Sequence, residues 1–259
     1  MIASLPMYDW PEFRTATDAW WAGISRHSGL DYPLNRCADY ASLWDRDDLV
    51  FSQTCGYPFT HDFAGRLQLV GTPSYAVDGC EGANYCSFVF ARAKPPKLSD
   101  LSGTIAAVNM GDSMSGMLAL KLVFTPFARA RRFFRGAIKT GSHIASLTAV
   151  RDGSADVCAV DAVCVALARR YRPDYLEGLV EIARSPSVPA LPYVTSAKSD
   201  AALLQRLRKG LADAIDDPSL ADCRAALFIS GASDLNTSDY KVIPALEQAC
   251  EARGGLDLI

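Results

Sequence analysis

The chain contains little that would hold nucleic acid or cross a membrane. Its 259 residues carry 26 Lys and Arg against 29 Asp and Glu, a formal net charge of −3. No large positive field is therefore available to attract nucleic acid. The longest apolar runs, such as residues 105–108, fall far short of the roughly 18 residues that span a bilayer. We expect neither a nucleic-acid partner nor membrane insertion.

The sequence also has little that would bind a metal. Only three histidines occur, His27, His61 and His143, and no two of them have ligand spacing. Eight cysteines occur without a C-x-x-C pair, which argues against a zinc ribbon or a thioredoxin motif. They are Cys37, Cys55, Cys80, Cys86, Cys158, Cys164, Cys223 and Cys250. Apolar neighbours favour buried free thiols at Cys158 and Cys164, and we expect no metal and no cofactor.

Residues 1–7 lack the basic start and long apolar stretch of a signal peptide. Either a leader is missing or the protein stays in the cytoplasm, and many cysteines fit reduced thiols there. On this evidence alone we expect the chain as given to be cytoplasmic.

What the sequence does contain is a globular α/β pattern. Hydrophobic residues make up 49% and charged residues 21%, enough apolar side chains for a sizeable core. Strand-like and helical runs alternate, which predicts mostly parallel sheets with helices on both faces. The predicted strands are 2–7, 49–52, 67–70, 85–90, 104–109 and 156–160. The predicted helices are 9–28 with Asp9 as N-cap, then 113–124, 142–151, 162–171, 200–215 and 244–253.

Two Pro-rich breaks, at 94–97 and 185–192, divide the chain into three blocks. The simplest arrangement is two α/β lobes, in which the first and last blocks share one lobe. The predicted boundaries are 1–92 with 193–259 for the first lobe and 93–192 for the second. Two chain crossings, near 91–93 and 190–195, would form a hinge with a cleft between the lobes.

The most informative segment follows the predicted strand 104–109. Ser113, Met114, Ser115 and Gly116 open a helix, where free backbone N–H groups attract an anion and hydroxyls add donors. The alternative is that Ser113 or Asp112 merely caps the helix. Asp112 would repel an anion unless its carboxylate turns away.

Two further helix starts carry polar residues. Ser142 and His143 open the helix 142–151, where His143 could donate to an oxyanion or act as an acid or base. A lone histidine is more often simply packed on a helix face. Asp161 ends a predicted strand, where ligands of open α/β sheets bind. It is equally well suited to cap the next helix.

The first block supplies a fourth group of candidates. Tyr8 follows the first predicted strand, and four residues follow another, namely Gln53, Thr54, Cys55 and Tyr57. Tyrosine offers a flat wall with a polar edge, which suits a small polar ligand.

These segments together resemble the phosphate/phosphonate-binding component of ABC transporters. The segments that carry the resemblance are 53–58, 101–103, 112–116, 141–143, 149–153 and 155–157, in order over nearly the whole chain. The resemblance implies a type II periplasmic-binding-protein fold, with two lobes that close on a ligand, and a periplasmic location.

The resemblance also implies roles for particular residues. Ser113 and Ser115, with the backbone after them, would hold the oxyanion, and His143 would add a donor from the opposing helix. Tyr8 and Tyr57 would line the cleft from the other lobe. Met114 stands where family members often have a polar residue. Val163 stands where aminophosphonate binders place a carboxylate, which argues against 2-aminoethylphosphonate as the ligand.

The sequence therefore predicts a monomeric solute-binding protein, not an enzyme, for a small phosphonate-like or phosphate-like anion, with an ABC permease as a possible partner. The alternative is a cytosolic enzyme on the same fold, with His143 and Asp161 as acid and base. Against that alternative, no arrangement of nucleophile, base and orienting group is visible in the sequence.

Overall fold

The computed structural model describes residues 1–36 and 39–258, so Cys37 lies outside the described residues. The strands, in chain order, are β1 Ile2–Ser4, β2 Leu49–Gln53, β3 Leu67–Tyr75, β4 Cys80–Glu81, β5 Asn84–Tyr85, β6 Ser87–Ala91, β7 Ile105–Val108, β8 Gly136–Lys139, β9 Val157–Asp161, β10 Val180–Arg184, β11 Val188–Pro189, β12 Tyr193–Ser196 and β13 Ile229–Ser233. The α-helices are α1 Arg14–His27, α2 Tyr40–Trp44, α3 Gly56–Thr60, α4 Ala119–Phe124, α5 His143–Arg151, α6 Ala162–Tyr171, α7 Ala201–Asp216, α8 Ala221–Ala226 and α9 Val242–Ala252. A π-helical turn, Met114–Leu118, runs directly into α4.

The chain folds into two compact units. Unit 1 comprises Met1–Ala76, Glu81–Asn84 and Pro189–Lys241, and unit 2 comprises Val77–Cys80, Tyr85–Val188 and the described residues from 242 to 258. The lobe boundaries predicted from the Pro-rich breaks assigned the C-terminal residues to the first lobe. In the structure α9 groups with unit 2, because it packs on α4 and because Arg131 pairs with Glu251.

Unit 1 is built on a sheet of strand order β1-β2-β12-β3-β13. Only β1 and β2 pair in parallel, and the other neighbours are antiparallel. Helices α1 and α7 pack against each other beside this sheet. The core holds Trp20, which donates from Nε1 to the hydroxyl of Tyr193 over 3.0 Å, and Trp21, which stacks on Phe51.

Unit 2 is built on a sheet of strand order β10-β6-β9-β7-β8. Strands β9, β7 and β8 are parallel to one another, while β6 runs against both β9 and β10. The strands β6, β7 and β9 are almost wholly buried. Their side chains form the core of the unit together with Leu120 and Phe124 of α4.

The two five-stranded sheets are therefore mixed, which corrects the prediction of mostly parallel sheets. Each antiparallel pair includes a strand that lies next to a point where the chain changes units, such as β3, β6 or β12. A strand that enters or leaves a unit need not follow the strand–helix–strand connection that makes neighbours parallel. The parallel pairs lie where the chain makes such connections within one unit.

Most predicted elements are present, with shifted ends. Helix α6 matches its predicted bounds, and α5 and α7 match theirs within one residue. The predicted N-cap Asp9 was wrong, because the first helical turn is a 3₁₀ turn, Pro11–Phe13, that begins after Trp10. The carboxylate of Asp9 instead accepts a hydrogen bond from Arg36. Strands β8, β10, β12 and β13 were not predicted.

The predicted free thiols are confirmed, since Cys158 and Cys164 are buried and unpaired. Within the described part of the chain, no helix combines the length and the apolar character needed to cross a bilayer.

Candidate functional site

Three neighbouring parallel strands of unit 2 end at the same edge of its sheet. The pairing of β7 with β8 continues beyond the strands, because Thr140 N–H donates to the carbonyl of Val108 and Gly141 N–H to that of Asn109, each over 2.9 Å. These bonds hold the loop after β7 beside the loop after β8. Strand β9, on the other side of β7, ends at Asp161. The sheet thus brings together three loops that are far apart in sequence.

The loop after β7 ends in the predicted serine turn. Ser113 is the N-cap of the π-helical turn, and its Oγ accepts from the N–H of Gly116 over 2.9 Å. The first intrahelical bond spans five residues, from Leu118 N–H to the carbonyl of Ser113. Helix starts leave N–H groups without intrahelical partners. The turn and α4 form one helical segment over residues 114–124, with Ser113 and Ser115 both buried at its start.

Gly116 makes this turn possible. A Cβ at position 116 would lie 1.8 Å from Oδ1 of Asn109, far inside any allowed contact. Asn109 itself follows β7, and its buried Oδ1 has no hydrogen-bond partner among the described residues. Sequence reasoning missed Asn109, although its place at the end of a predicted strand was a usable signal.

His143 lies at the first position of α5 and points to the serine turn. Its Nε2 is 2.8 Å from Oγ of Ser115 and 3.9 Å from Oδ2 of Asp161. Burial lowers the pKa of His143 below its ordinary value of 6.5, against the opposing influence of the Asp161 carboxylate and of the Ala159 carbonyl. His143 is therefore neutral near pH 7. The structure brings together Ser115, His143 and Asp161, all of which the sequence singled out.

The remaining candidates in unit 2 have local roles. Ser142 is exposed, and its Oγ accepts from the N–H of Ala145, so it caps α5. Asp161 is buried, and its Oδ1 accepts from the N–H of Cys164 over 2.8 Å, so it caps α6. The side chain of Met114 is buried. Oδ2 of Asp161, the oxygen that does not cap the helix, lies on the side of His143.

The candidates in unit 1 form a different kind of arrangement. Gln53 ends β2 and is buried, and its Nε2 donates to the hydroxyl of Tyr75 over 3.0 Å and to the carbonyl of Leu191 over 3.1 Å. Tyr8 packs edge-to-face on the ring of Tyr75. Tyr75 connects these two candidates, and sequence reasoning missed it because it lies inside the unpredicted half of β3.

The loop after β2 is fixed by its own contacts. Thr54 is buried, and its N–H donates to the carbonyl of Pro192. Cys55 precedes α3, and the ring of Tyr57 in that helix stacks on the ring of His61 at 3.9 Å. Tyr57 lies in this short helix and Cys55 directly precedes it, and both side chains are partly exposed.

The chemistry of the unit 2 site favours binding over catalysis. In a catalytic triad the serine and the carboxylate approach opposite ring nitrogens, so that the acid orients the base. Here Ser115 and Asp161 both approach Nε2, and the buried Nδ1 has no hydrogen-bond partner in the described ranges. The arrangement can donate hydrogen bonds to an anion but is not built as a proton relay.

Sequence comparison places the chain in a known family. The model of the family described as "ABC transporter, phosphonate, periplasmic substrate-binding protein" matches residues 2–240. No curated protein sequence matches the chain.

Solved structures share the fold over the full chain. PhnD1 from Prochlorococcus marinus, solved with methylphosphonate, superposes with a TM-score of 0.78 at 12% identity, covering 96% of this chain and 98% of that one. A binding protein component of an ABC phosphonate transporter from Pseudomonas aeruginosa gives 0.79 at 17% identity, covering 97% and 87%. A Xanthomonas citri protein bound to ATP gives 0.72 at 18% identity, covering 97% of each chain.

The fold and the comparisons together define a substrate-binding protein of the type II periplasmic-binding-protein class, not an enzyme. The chain belongs to the phosphonate-binding family of ABC-transporter substrate-binding proteins. The predictions of family, fold and solute-binding role are confirmed.

Proposed function

We propose that this chain captures a small tetrahedral oxyanion, a phosphonate or a phosphate, at the serine turn of unit 2. In this proposal the ligand is passed to an ABC permease, the partner that the family implies. Ser113, Ser115 and the first N–H groups of residues 114–124 hold the anion's oxygens. His143 acts on the ligand through Ser115.

One observation carries the proposal. Two buried hydroxyls, of Ser113 and Ser115, stand at the start of one helical segment and beside the start of another, α5. Burying a hydroxyl costs free energy unless its hydrogen bonds are made. Helix N-termini carry partial positive charge, and hydroxyl donors add to it without introducing a counter-charge. A bound oxyanion satisfies both kinds of group.

The candidate residues of unit 1 are not part of the anion site proposed at the serine turn. Both donors of Gln53 are already bonded within the unit, so Gln53 is better explained as a support for Tyr75. The contribution of Tyr8, Thr54, Cys55 and Tyr57 to ligand binding stays a prediction.

Isothermal titration calorimetry tests the proposal directly. Methylphosphonate, phosphate, methanesulfonate and acetate are titrated into the wild-type protein near pH 8. At least one tetrahedral anion is expected to bind, and Ser115→Ala is expected to weaken its binding about tenfold to a hundredfold, since a hydrogen bond to a charged group is lost.

Ser142→Ala is the matched control. It removes a serine hydroxyl that caps a helix in the neighbouring loop, so it is expected to cost about 1 kcal/mol of stability but to leave affinity unchanged. Equal affinity in Ser115→Ala and wild type would remove Ser115 from the site. Failure of every tetrahedral anion to bind would contradict the proposed function.

Hinge closure on the ligand is part of the same proposal. Small-angle X-ray scattering with and without the tightest ligand measures it. A smaller radius of gyration in the presence of the ligand is the expected result, and an unchanged scattering profile at saturation would contradict closure.

A further inference from the structure

We propose that His143 is a positioning residue that makes Ser115 an obligatory hydrogen-bond donor, so that the site prefers tetrahedral oxyanions whose oxygens carry no proton. The inference rests on the proposed function and deepens it. It replaces the direct contact of His143 with the oxyanion that the family resemblance implied. The ligand class it names includes the phosphonate dianion and the sulfonate monoanion.

The position of Asp161 selects the tautomer of His143. Nε2 lies 2.8 Å from Oγ of Ser115 and on the side of the ring that faces Oδ2 of Asp161, 3.9 Å away. A bare lone pair on Nε2 would face that carboxylate, whereas an N–H there is attracted to it. The proton of the neutral ring is therefore on Nε2, and Nε2–H donates to Ser115.

The other ring nitrogen supports the same tautomer. Nδ1 is buried, and no described residue meets hydrogen-bond geometry with it, although the Ala159 carbonyl lies close enough to the ring to oppose the lowering of the His143 pKa. A buried N–H without an acceptor is rarer in proteins than an acceptor without a donor. Placing the proton on Nε2 leaves Nδ1 as an unused acceptor, which is the less costly of the two arrangements.

With this tautomer, both serine hydroxyls accept a hydrogen bond within the protein and keep their own hydrogens for a ligand. Ser115 accepts from His143, so its own hydrogen is available to donate. Ser113 accepts from the N–H of Gly116, and its hydrogen is likewise available. The first N–H groups of the helical segment can only donate. The two hydroxyls and these N–H groups therefore present hydrogens alone to a ligand, while the buried Oδ1 of Asn109 lies behind them against Gly116.

A site made only of hydrogen-bond donors distinguishes ligand oxygens that carry a proton from those that do not. An oxygen without a proton can accept from each of these donors. An oxygen that carries a proton brings a hydrogen against a hydrogen, and it leaves a buried donor unpaired. At equal charge and similar size, a ligand without O–H is favoured about tenfold to a hundredfold, as expected for one unpaired buried group.

Titration of His143 would not produce the same dependence of anion affinity on pH. Among the described residues, Asp161 is the one charged group that shifts the pKa of His143 electrostatically. The thiol of Cys164 contacts Asp161, and the Asp161 charge also helps to raise the pKa of Cys80. Burial keeps both thiols protonated at neutral pH by raising the pKa of each. Protonation of His143 on acidification would strengthen anion binding, opposite in sign to the loss expected for phosphonate.

The closing experiment compares two ligands of the same charge. Below its second ionisation methylphosphonate is a monoanion with one O–H, and methanesulfonate is a monoanion with none. Calorimetric titration of both near pH 6 is expected to show methanesulfonate binding at least about tenfold more tightly. Raising the pH to 8.5 is expected to tighten methylphosphonate and to leave methanesulfonate unchanged.

His143→Gln provides the readout that a purely structural role would not change. A glutamine amide presents either a donor or an acceptor, so Ser115 can reverse its hydrogen bond and accept from the ligand's O–H. The preference for methanesulfonate near pH 6 is expected to fall to within about threefold in His143→Gln. His143→Leu, which removes the donor altogether, is the second variant and is expected to lose the preference in the same way.

The outcomes separate the two proposals. Equal affinity of wild-type protein for the two monoanions, or tighter binding of monoanionic methylphosphonate, would overturn the inference and leave the proposed function standing. An unchanged preference in both folded His143 variants would also overturn it. Failure of methylphosphonate to bind at either pH, together with failure of methanesulfonate, would refute the proposed function and this inference with it.

Discussion

Two buried polar clusters, one around Gln53 in unit 1 and one at the serine turn of unit 2, make their hydrogen bonds in different ways. In unit 1, Gln53 gives both amide hydrogens to partners in the same unit, and Trp20 and Tyr193 bond to each other. In unit 2, Ser113 accepts from the N–H of Gly116. With the Nε2–H tautomer proposed for His143, Ser115 accepts as well, which leaves both hydroxyl hydrogens to donate. The donors of the Gln53 cluster are thus bonded within unit 1, whereas the serine turn of unit 2 has hydroxyl hydrogens available for a ligand.

The difference follows from where the residues lie in the sheets. The unit 2 serines and His143 follow neighbouring parallel strands, so their helix starts meet at one edge. Gln53 lies at the end of β2, whose neighbour β12 is antiparallel, so a strand start rather than a helix start meets it there. Parallel pairing followed by helices is what concentrates anion-binding groups in unit 2.

The largest effect expected is a loss of stability at Gln53. Gln53→Leu removes two buried hydrogen bonds and leaves the carbonyl of Leu191 and the hydroxyl of Tyr75 without this donor. We expect the free energy of unfolding to fall by about 2–4 kcal/mol, with anion affinity within threefold of wild type. Urea unfolding and calorimetry measure the two quantities.

Gln205→Leu is the control, because Gln205 is on an exposed face of α7. It is expected to change stability by less than about 0.5 kcal/mol. A Gln53→Leu protein of full stability that has lost anion binding would reverse the comparison between the units.

The next effect is steric and lies in unit 2. Gly116→Ala places a methyl group against Asn109 and is expected to cost about 1–3 kcal/mol of stability. Asn109→Ala removes the obstructing side chain, so the double variant is expected to regain most of that loss. Thermal and urea unfolding of the four proteins gives the coupling energy.

Gly136→Ala is the matched control for this cycle. A Cβ at position 136 would have no atom within 4 Å, so the change is expected to be near neutral. Additive losses in the double variant would show that Asn109 does not make the glycine necessary.

Local chemistry made parts of the fold predictable. The caps Ser113, Ser142 and Asp161 were readable because each bonds to the backbone three residues further on. Asp9 had the same local pattern, but its ion pair with Arg36 prevailed over capping, and that ion pair depends on tertiary structure. Strands such as β12 and β8 were missed because four residues carry too little periodicity to distinguish them from loops.

The residues of the unit 2 site were predictable, but their connections were not. The sequence placed Ser115 and His143 at helix starts, while their contact depends on the register between β7 and β8. That register is a long-range property. The direction of the hydrogen bond depends further on Asp161, which a third strand brings close.

The smallest effect expected is in the pH dependence of stability. His143 is held neutral in the folded state, with its pKa lowered by burial, whereas in the unfolded state it titrates near 6.5. Below that pH the unfolded chain binds more protons, so stability falls on acidification by up to about 1.4 kcal/mol per unit of pKa difference. His143→Gln is expected to reduce that fall between pH 7 and pH 5, measured by urea unfolding. An identical pH profile in the variant would contradict a buried neutral His143.

The central claim is that unit 2 holds the anion at its serine turn. Its most direct test is a crystal structure of the protein with selenate, a tetrahedral dianion without O–H whose selenium is located by anomalous scattering. The account predicts an anomalous peak whose oxygens lie within about 2.5–3.0 Å of Oγ of both Ser113 and Ser115. A fully occupied selenate elsewhere, with the serine turn empty at saturating concentration, would contradict the account.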